Sequence, residues 1–280
     1  MLNMNYKDIL IKDKLFNLDK MRIMGIINLS PESFFSNEFN LTTKELLFKI
    51  ENMLSAGADI IDIGAVSTKP NHKKINEIEE FNRINKILRE VRHEFPEIII
   101  SLDSKNDKVI YQCIDLGIDI VNDVGGGNLI DETFEKISKN NIPYILTFNT
   151  DSESNSFKKS KTTNIFKNSM VFFSKKLNKI EALGVKDIIL DPGFGFNKEI
   201  MENYELLKKL KDFQILNKPI LVGVSRKSMI YKYLNQEASE SKNGSTILHT
   251  MSCIRGANIL RVHDIEESNE LKSLLSLLQF

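Results

Sequence analysis

Residues 219 to 229 read PILVGVSRKSM. Ile220, Leu221 and Val222 form a short apolar run and Gly223 breaks it. Ser225, Arg226, Lys227 and Ser228 follow, and the chain turns apolar again at Met229 and Ile230. A run this short, closed by glycine, is the pattern of a buried strand that opens into a turn. The strand cannot bury two cations unpaired at its carboxyl end, so an acidic or anionic group should meet them there. The plainer reading is a solvated turn before a helix, with Ser225 or Ser228 as N-cap.

The same order of elements recurs on both sides. Strand patterns precede it at 22–27 (RIMGII), 59–63 (DIIDI), 98–102, 119–121, 143–146 and 187–190 (DIIL), and one follows at 258–262 (NILRV). Helical spacing fills the intervals, for example over 42–56, 75–93, 165–183, 245–255 and 265–278. Eight strands, each followed by a helix and joined by right-handed connections, predict a single-domain (β/α)8 barrel. A doubly wound open sheet is weakened by the even count of eight and by the absence of GxGxxG after any strand. Residues 1–20 alternate apolar and charged residues around Ile9, Ile11, Leu15 and Leu18, which predicts a short hairpin or lid across the bottom of the barrel. The expected organisation is an N-terminal extension over 1–20 and one barrel over 21–280. Residues 151–164 carry no apolar pattern and read as a polar surface loop.

The chain of 280 residues balances 38 basic against 38 acidic side chains. No basic excess exists to neutralise phosphates, which argues against nucleic acid as the main partner. Cys113 and Cys253 are too few for a disulfide framework and fit a reducing compartment. The N-terminus lacks a signal-peptide core, and no run reaches the roughly 18 apolar residues of a spanning helix. The expectation is a soluble, cytoplasmic protein without membrane contact.

Polar residues collect where the strands end. Strand one ends in Asn28, strand two in Ser67-Thr68-Lys69, strand three in Asp103, and strand four in Asn122-Asp123. Strand six ends in Asp191, strand seven in Ser225-Arg226-Lys227, and strand eight in Arg261 and His263. Each has a plain explanation: Asp103 and Ser104 as helix caps, Asn122 as an Asx turn, Asp191-Pro192-Gly193 as a turn. In a barrel, however, all these ends share the face where active sites are built, and seven of eight is too many for turns alone. Asp103, Asn122 and Asp191 suit the donor-rich edge of a ring such as an aminopyrimidinone. Arg261, His263, Lys69 and the Asn28 turn suit an anion such as phosphate, with Mg²⁺ bridging it to a protein oxygen. Lys227 stands between the two groups. No zinc spacing is present, and no Ser-His-Asp reading stands out.

These motifs resemble the dihydropteroate synthases, a family of folate-pathway enzymes, along nearly the whole chain. The likeness rests on IMGIINLSPESF (23–34), GADIIDIG (57–64), STKP (67–70), ISLDS (100–104), DIVNDV (119–124), LDPGFGF (190–196), LVGVSRKSMI (221–230) and RVHD (261–264), in family order. The resemblance implies a homodimeric, Mg²⁺-assisted transferase. In that reaction para-aminobenzoate displaces pyrophosphate from 6-hydroxymethyl-7,8-dihydropterin diphosphate. It implies that Asp103, Asn122, Asp191 and Lys227 hold the pterin, and that Asn28 helps bind Mg²⁺. The diphosphate would fall to Arg261 and His263 with Asn28, Thr68 and Lys69. Thr68, Pro70, Phe196 and Ser228 would shape the aminobenzoate pocket with the Lys227 stem. Asp103, Lys227, Arg261 and His263 would carry the chemistry.

Two departures stand out. Where the family usually has Gly-Glu-Ser-Thr-Arg-Pro-Gly, residues 65–71 read AVSTKPN, and Lys69 keeps the charge without the planar fork of arginine. Thr147-Phe148-Asn149 replaces the family's Met-His-Met and changes one wall of the pterin pocket. They keep open a non-catalytic pterin-binding relative. A methyltetrahydrofolate methyltransferase-like barrel fits less well, because methyl transfer has no diphosphate to bind. An aldolase-type barrel using Lys227 as a Schiff base is a third possibility.

Overall fold

The architecture follows from one apolar residue in each strand turning inward and its neighbours turning outward. A computed structural model describes residues 8–30, 40–66, 75–150 and 164–278. A two-stranded antiparallel hairpin, β1 (Ile9–Ile11) and β2 (Lys14–Phe16), comes first, with Ile9 opposite Phe16. Eight parallel strands follow: β3 (Arg22–Asn28), β4 (Ile60–Gly64), β5 (Ile99–Asp103), β6 (Ile120–Asp123), β7 (Tyr144–Thr147), β8 (Ile188–Asp191), β9 (Leu221–Val222) and β10 (Ile259–Val262). They are hydrogen-bonded in the order β8-β7-β6-β5-β4-β3-β10-β9. Leu190 bridges Ile220, and its N–H donates to the Pro219 carbonyl at 2.8 Å, so the two ends of the sheet meet and the barrel nearly closes.

Helices lie between successive strands: α1 (Thr43–Ser55), α2 (Glu77–Glu94), α3 (Asp107–Asp115), α4 (Asp131–Lys139), α5 (Ile165–Ala182), α6 (Ile200–Lys208), α7 (Ser228–Leu234), α8 (Lys242–Ile254) and α9 (Ile265–Leu277). Their starts are written in the sequence. Thr42 and Glu45 form a reciprocal capping box on α1, and the side chains of Asn76, Asn106 and Asn164 cap α2, α3 and α5. Neither Asp103 nor Ser104 caps α3. Lys227, not Ser225 or Ser228, stands at the N-cap position of α7.

Burial separates into two cores. The larger lies between sheet and helices and contains outward-facing Ile23, Ile27, Ile61, Ile63 and Leu102 with Ile50, Leu88 and Ile110 of the helices. The smaller takes Met24, Ile60, Ile120, Ile145, Ile189, Leu221 and Ile259, with Ile99 against them, and Ile9, Ile11 and Leu18 from the hairpin segment. One residue from every barrel strand, joined by no helix residue, is the inside of the barrel, and the hairpin segment plugs its lower end. Backbone bonds pin the plug: Leu10 N–H donates to Asp187 at 3.0 Å, and Asn258 Nδ2 to the Leu18 carbonyl at 2.8 Å. The expected hairpin across the bottom is present.

Candidate active site

Side chains two residues apart on a strand share a face. Stepping up by two from the apolar plug layer therefore gives the next inward layer: Ile26, Asp62, Ser101, Asn122, Thr147, Asp191, Gly223 and Arg261. The barrel interior changes within one step from all apolar to mostly polar. One further step reaches Asn28, Gly64 and Asp103 at the strand ends, with Ser225 and His263 just beyond. Gly64 belongs there for space: a β-carbon on it would lie 3.1 Å from Cβ of Asp103, which pairs with it across β4 and β5.

A buried charge network fills these layers. Arg261 Nε donates to Asp62 Oδ2 at 2.7 Å and its Nη2 to Asp103 Oδ2 at 2.6 Å, while Asn122 Nδ2 donates to the same Asp62 oxygen at 3.1 Å. These two bonds use two of the five N–H donors of the guanidinium. Lys227 donates to the Phe194 carbonyl and holds its ammonium 4.9 Å from the Phe196 ring centroid. Asp191 Oδ1 accepts the Gly193 N–H at 2.8 Å, and its Oδ2 faces the Thr147 hydroxyl at 3.4 Å. Gly193 is required in that turn. Its φ is +68°, and a β-carbon would sit 2.2 Å from the Phe148 carbonyl oxygen.

Burial sets the electrostatics. It pushes the Asp103 carboxyl up to about 7, against the pull of Arg261 and with help from Asp62 and Glu80. It lowers Lys227 to about 8, with Asp191 and Asp103 opposing and Arg261 adding to the shift. Asp191 is raised by burial, against Lys227 and the Gly193 N–H. Burial works against the charge of Arg261, but Asp62 and Asp103 more than offset it and its pKa is raised. His263 falls to about 3, by burial first and Arg261 second, so the ring is neutral at physiological pH. Its Nδ1 lies 3.1 Å from Ser225 Oγ, which also accepts the His263 N–H.

The structure brings Asp103, Asn122, Asp191, Lys227 and Arg261 together. Asn28 ends β3 with its Oδ1 accepting the Ser30 N–H at 3.0 Å, and Ser228 opens α7 half-buried. Thr68, Lys69 and Pro70 lie outside the described residues. Both cations of the SRKS turn are met, as charge burial demanded. Arg226 forks onto Asp264 through Nε at 2.9 Å and Nη2 at 2.5 Å, in a left-handed conformation with φ +51°. It is thereby committed to joining the turn after β9 to the start of α9. Asp123, next to Asn122, accepts from Gly125 N–H, Gly127 N–H and the Tyr144 hydroxyl, and so folds the glycine turn.

Sequence reasoning missed two contributors. Asp62 looked like part of an apolar strand, although its spacing of two from Ile60 was the available signal. Glu80 of α2, which no motif of the sequence marks, is buried and accepts the Ser104 hydroxyl at 2.5 Å behind Asp103.

A barrel whose inner polar layer pairs carboxylates, an amide and two cations is built for a small polar molecule. Residues 24–263 match the family described as "Pterin binding enzyme". The chain belongs to the pterin-binding enzymes. It is 33% identical to a dihydropteroate synthase of Haemophilus influenzae over 92% of this chain and 94% of that one. It is 32% identical to one of Clostridium beijerinckii, over 96% of this chain and 98% of that one. The crystal structure of the Yersinia pestis dihydropteroate synthase with a sulfonamide drug superposes with a TM-score of 0.89, at 28% identity, over 97% of this chain and 99% of that one. A Coxiella burnetii dihydropteroate synthase in complex with pteroic acid gives 0.85, at 30% identity, over 98% of both chains. Within the family, this chain's place is therefore among the dihydropteroate synthases, which are transferases.

Proposed function

We propose that this chain condenses 6-hydroxymethyl-7,8-dihydropterin diphosphate with para-aminobenzoate, giving 7,8-dihydropteroate and pyrophosphate. The observation that carries the reading is the convergence of Asp103, Asn122, Asp191 and Lys227 around the Asp62–Arg261 pair. In their roles, Asp191 and Asp103 accept from the N–H groups of the pterin ring, while Lys227 and Asn122 complete its polar edge. The inner layer already sets three carboxylates (Asp62, Asp103, Asp191) against two cations (Arg261, Lys227). The diphosphate therefore needs further positive charge, which this reading assigns to the outer edge of Arg261 and to Lys69, a residue outside the described ones, while His263 serves it as a neutral ring. Phe196, Ser228 and the Lys227 stem are assigned to the aminobenzoate, and the roles given to Thr68 and Pro70 fall outside the described residues.

The bond from the pterin methylene to the diphosphate oxygen breaks, and pyrophosphate leaves with the electron pair. The aniline nitrogen then bonds to that carbon and gives up a proton. Ionised Asp103 stabilises the cationic methylene, and the charges of Arg261 and Lys69 stabilise the leaving group. The amine needs positioning and no strong base. The donor type fits Mg²⁺: Asn28 presents an amide oxygen at the end of β3, and protein oxygen plus substrate phosphate is a common way to hold this ion. When bound, Mg²⁺ would neutralise charge on the departing pyrophosphate. The test is pyrophosphate release with and without aminobenzoate and Mg²⁺. Release without aminobenzoate, or none at all, would sink the assignment.

We also propose a cytoplasmic homodimer in which residues 1–20 are an extension and 21–280 the catalytic barrel. Free Cys113 and Cys253 fit a reducing compartment, and no described helix is long and apolar enough to cross a membrane. Ile247, Met251 and Ile254 of α8, with Leu274 and Leu277 of α9, are exposed and offer an apolar face for a second copy. Leu271 and Leu275 on the same helix pack inward on the barrel instead.

A further inference from the structure

Asp62 takes no part in the roles above, yet it is the most thoroughly buried acid of the barrel interior. Its side chain has no exposed surface, and its Oδ1 has no hydrogen-bond partner among the described residues. Burying a carboxylate costs several kcal/mol even when it is paired, and an unmatched oxygen adds to that. What this carboxylate does is visible in its two donors. An ionised carboxylate only accepts, so the group of Asn122 that lies 3.1 Å from it must be the NH₂. The Asn122 oxygen is thereby turned away from Asp62. Arg261 is shared in the same manner. Its Nε goes to Asp62 and its Nη2 to Asp103, which fixes the plane of the guanidinium between the two acids. Without Asp62, Arg261 would be left to Asp103 alone and would neutralise the carboxylate that faces the reacting carbon.

We propose that Asp62 is a positioning residue for the pterin half of the reaction: it sets Asn122 as an acceptor and divides Arg261 between two carboxylates. This rests on the synthase reading above. Charged groups near Asp103 are Arg261, Asp62, Glu80 and Lys227, and Asp62 acts on it as a like charge. A substitution that keeps the shape of Asp62 and removes its charge should therefore change catalysis without touching the aminobenzoate pocket.

The experiment is a double-mutant cycle with Asp62→Asn, Asn122→Ala and the double variant. It reads kcat/KM for the pterin diphosphate, KM for aminobenzoate, and the pH profile, with thermal unfolding as a check on folding. Each single change is expected to lower kcat/KM for the pterin diphosphate at least tenfold. The double variant should fall short of the product of the two by tenfold or more, because both remove the same alignment. KM for aminobenzoate should stay within about twofold, and the acidic limb of the profile should move in Asp62→Asn, as expected when a neighbouring charge is lost. Multiplicative effects, an equal rise in both KM values, or an Asp62→Asn enzyme within twofold of wild type would overturn the proposal. If Asp62→Asn does not fold, Asp62→Ser, which also removes the charge, takes its place in the same cycle. Failure of the synthase reading is distinct: the wild-type protein itself would then release no pyrophosphate.

Discussion

Lys227 and Asp103 face each other's charge inside the barrel, and their opposite shifts predict a narrow working range. Asp103 is raised to about 7, so it is protonated below that pH and gains its charge as pH rises through it. Lys227 is lowered to about 8, so it loses its charge as pH rises past that value. If both charges are needed, kcat/KM should climb through about 7 and fall above about 8, a bell that steady-state rates from pH 5 to 9 would resolve. A flat profile over that range contradicts the pairing. Lys227→Ala should lower kcat/KM for the pterin diphosphate by about 10²–10³-fold, the usual cost of losing one preorganised electrostatic group. An effect of less than threefold would remove Lys227 from the site. Legibility at this scale was uneven. Asp103, Asn122 and Asp191 stood at strand ends, where polarity is conspicuous. Asp62 sat within DIIDI, where a strand buried on both faces hides which face is inside. Arg226 and Lys227 are neighbours with the same charge, and only the left-handed backbone at Arg226 sends one to Asp264 and the other into the barrel.

The elements that hold the site are the plug below it and the turns above it. Leu18 is fully buried in the inner core, and its carbonyl accepts from Asn258 at the foot of β10. Leu18→Ala should lower unfolding stability by about 2–5 kcal/mol, the usual cost of a leucine-to-alanine cavity, with both KM values unchanged. Urea unfolding with parallel kinetics checks it. A stable variant with altered KM would mean that the segment shapes the site directly. The strands and helices were readable because six of the eight barrel-strand patterns end in glycine, asparagine or aspartate, counting Gly223 after β9, and each helix repeats every three to four residues. Cap identities were less so. Several Asp, Asn and Ser residues crowd the start of α3, and local geometry chose Asn106. Thr147-Phe148-Asn149 also became interpretable only in space. Thr147 faces Asp191, Phe148 packs on Phe172 and Phe173, and Asn149 donates to the Val124 carbonyl at 2.7 Å.

For the whole molecule, eight repeats of one βα unit sufficed to indicate the barrel, because closure follows from the count and the handedness of the connections. Assembly was less legible, since the apolar stripes of α8 and α9 serve packing and exposure at once. Ile254→Glu places a charge on the exposed part of that face and should shift the protein from dimer to monomer in analytical ultracentrifugation. An unchanged sedimentation coefficient would show that this face is not the interface. The central claim is that the polar layer inside the barrel performs an aminobenzoate-dependent displacement of pyrophosphate. Its most direct test is pyrophosphate release from the pterin diphosphate with Mg²⁺, with and without para-aminobenzoate, for wild type and Lys227→Ala. The account predicts release that requires aminobenzoate and collapses in the variant. Pterin binding without release would contradict it, and would make this chain a pterin-binding relative that has lost the reaction.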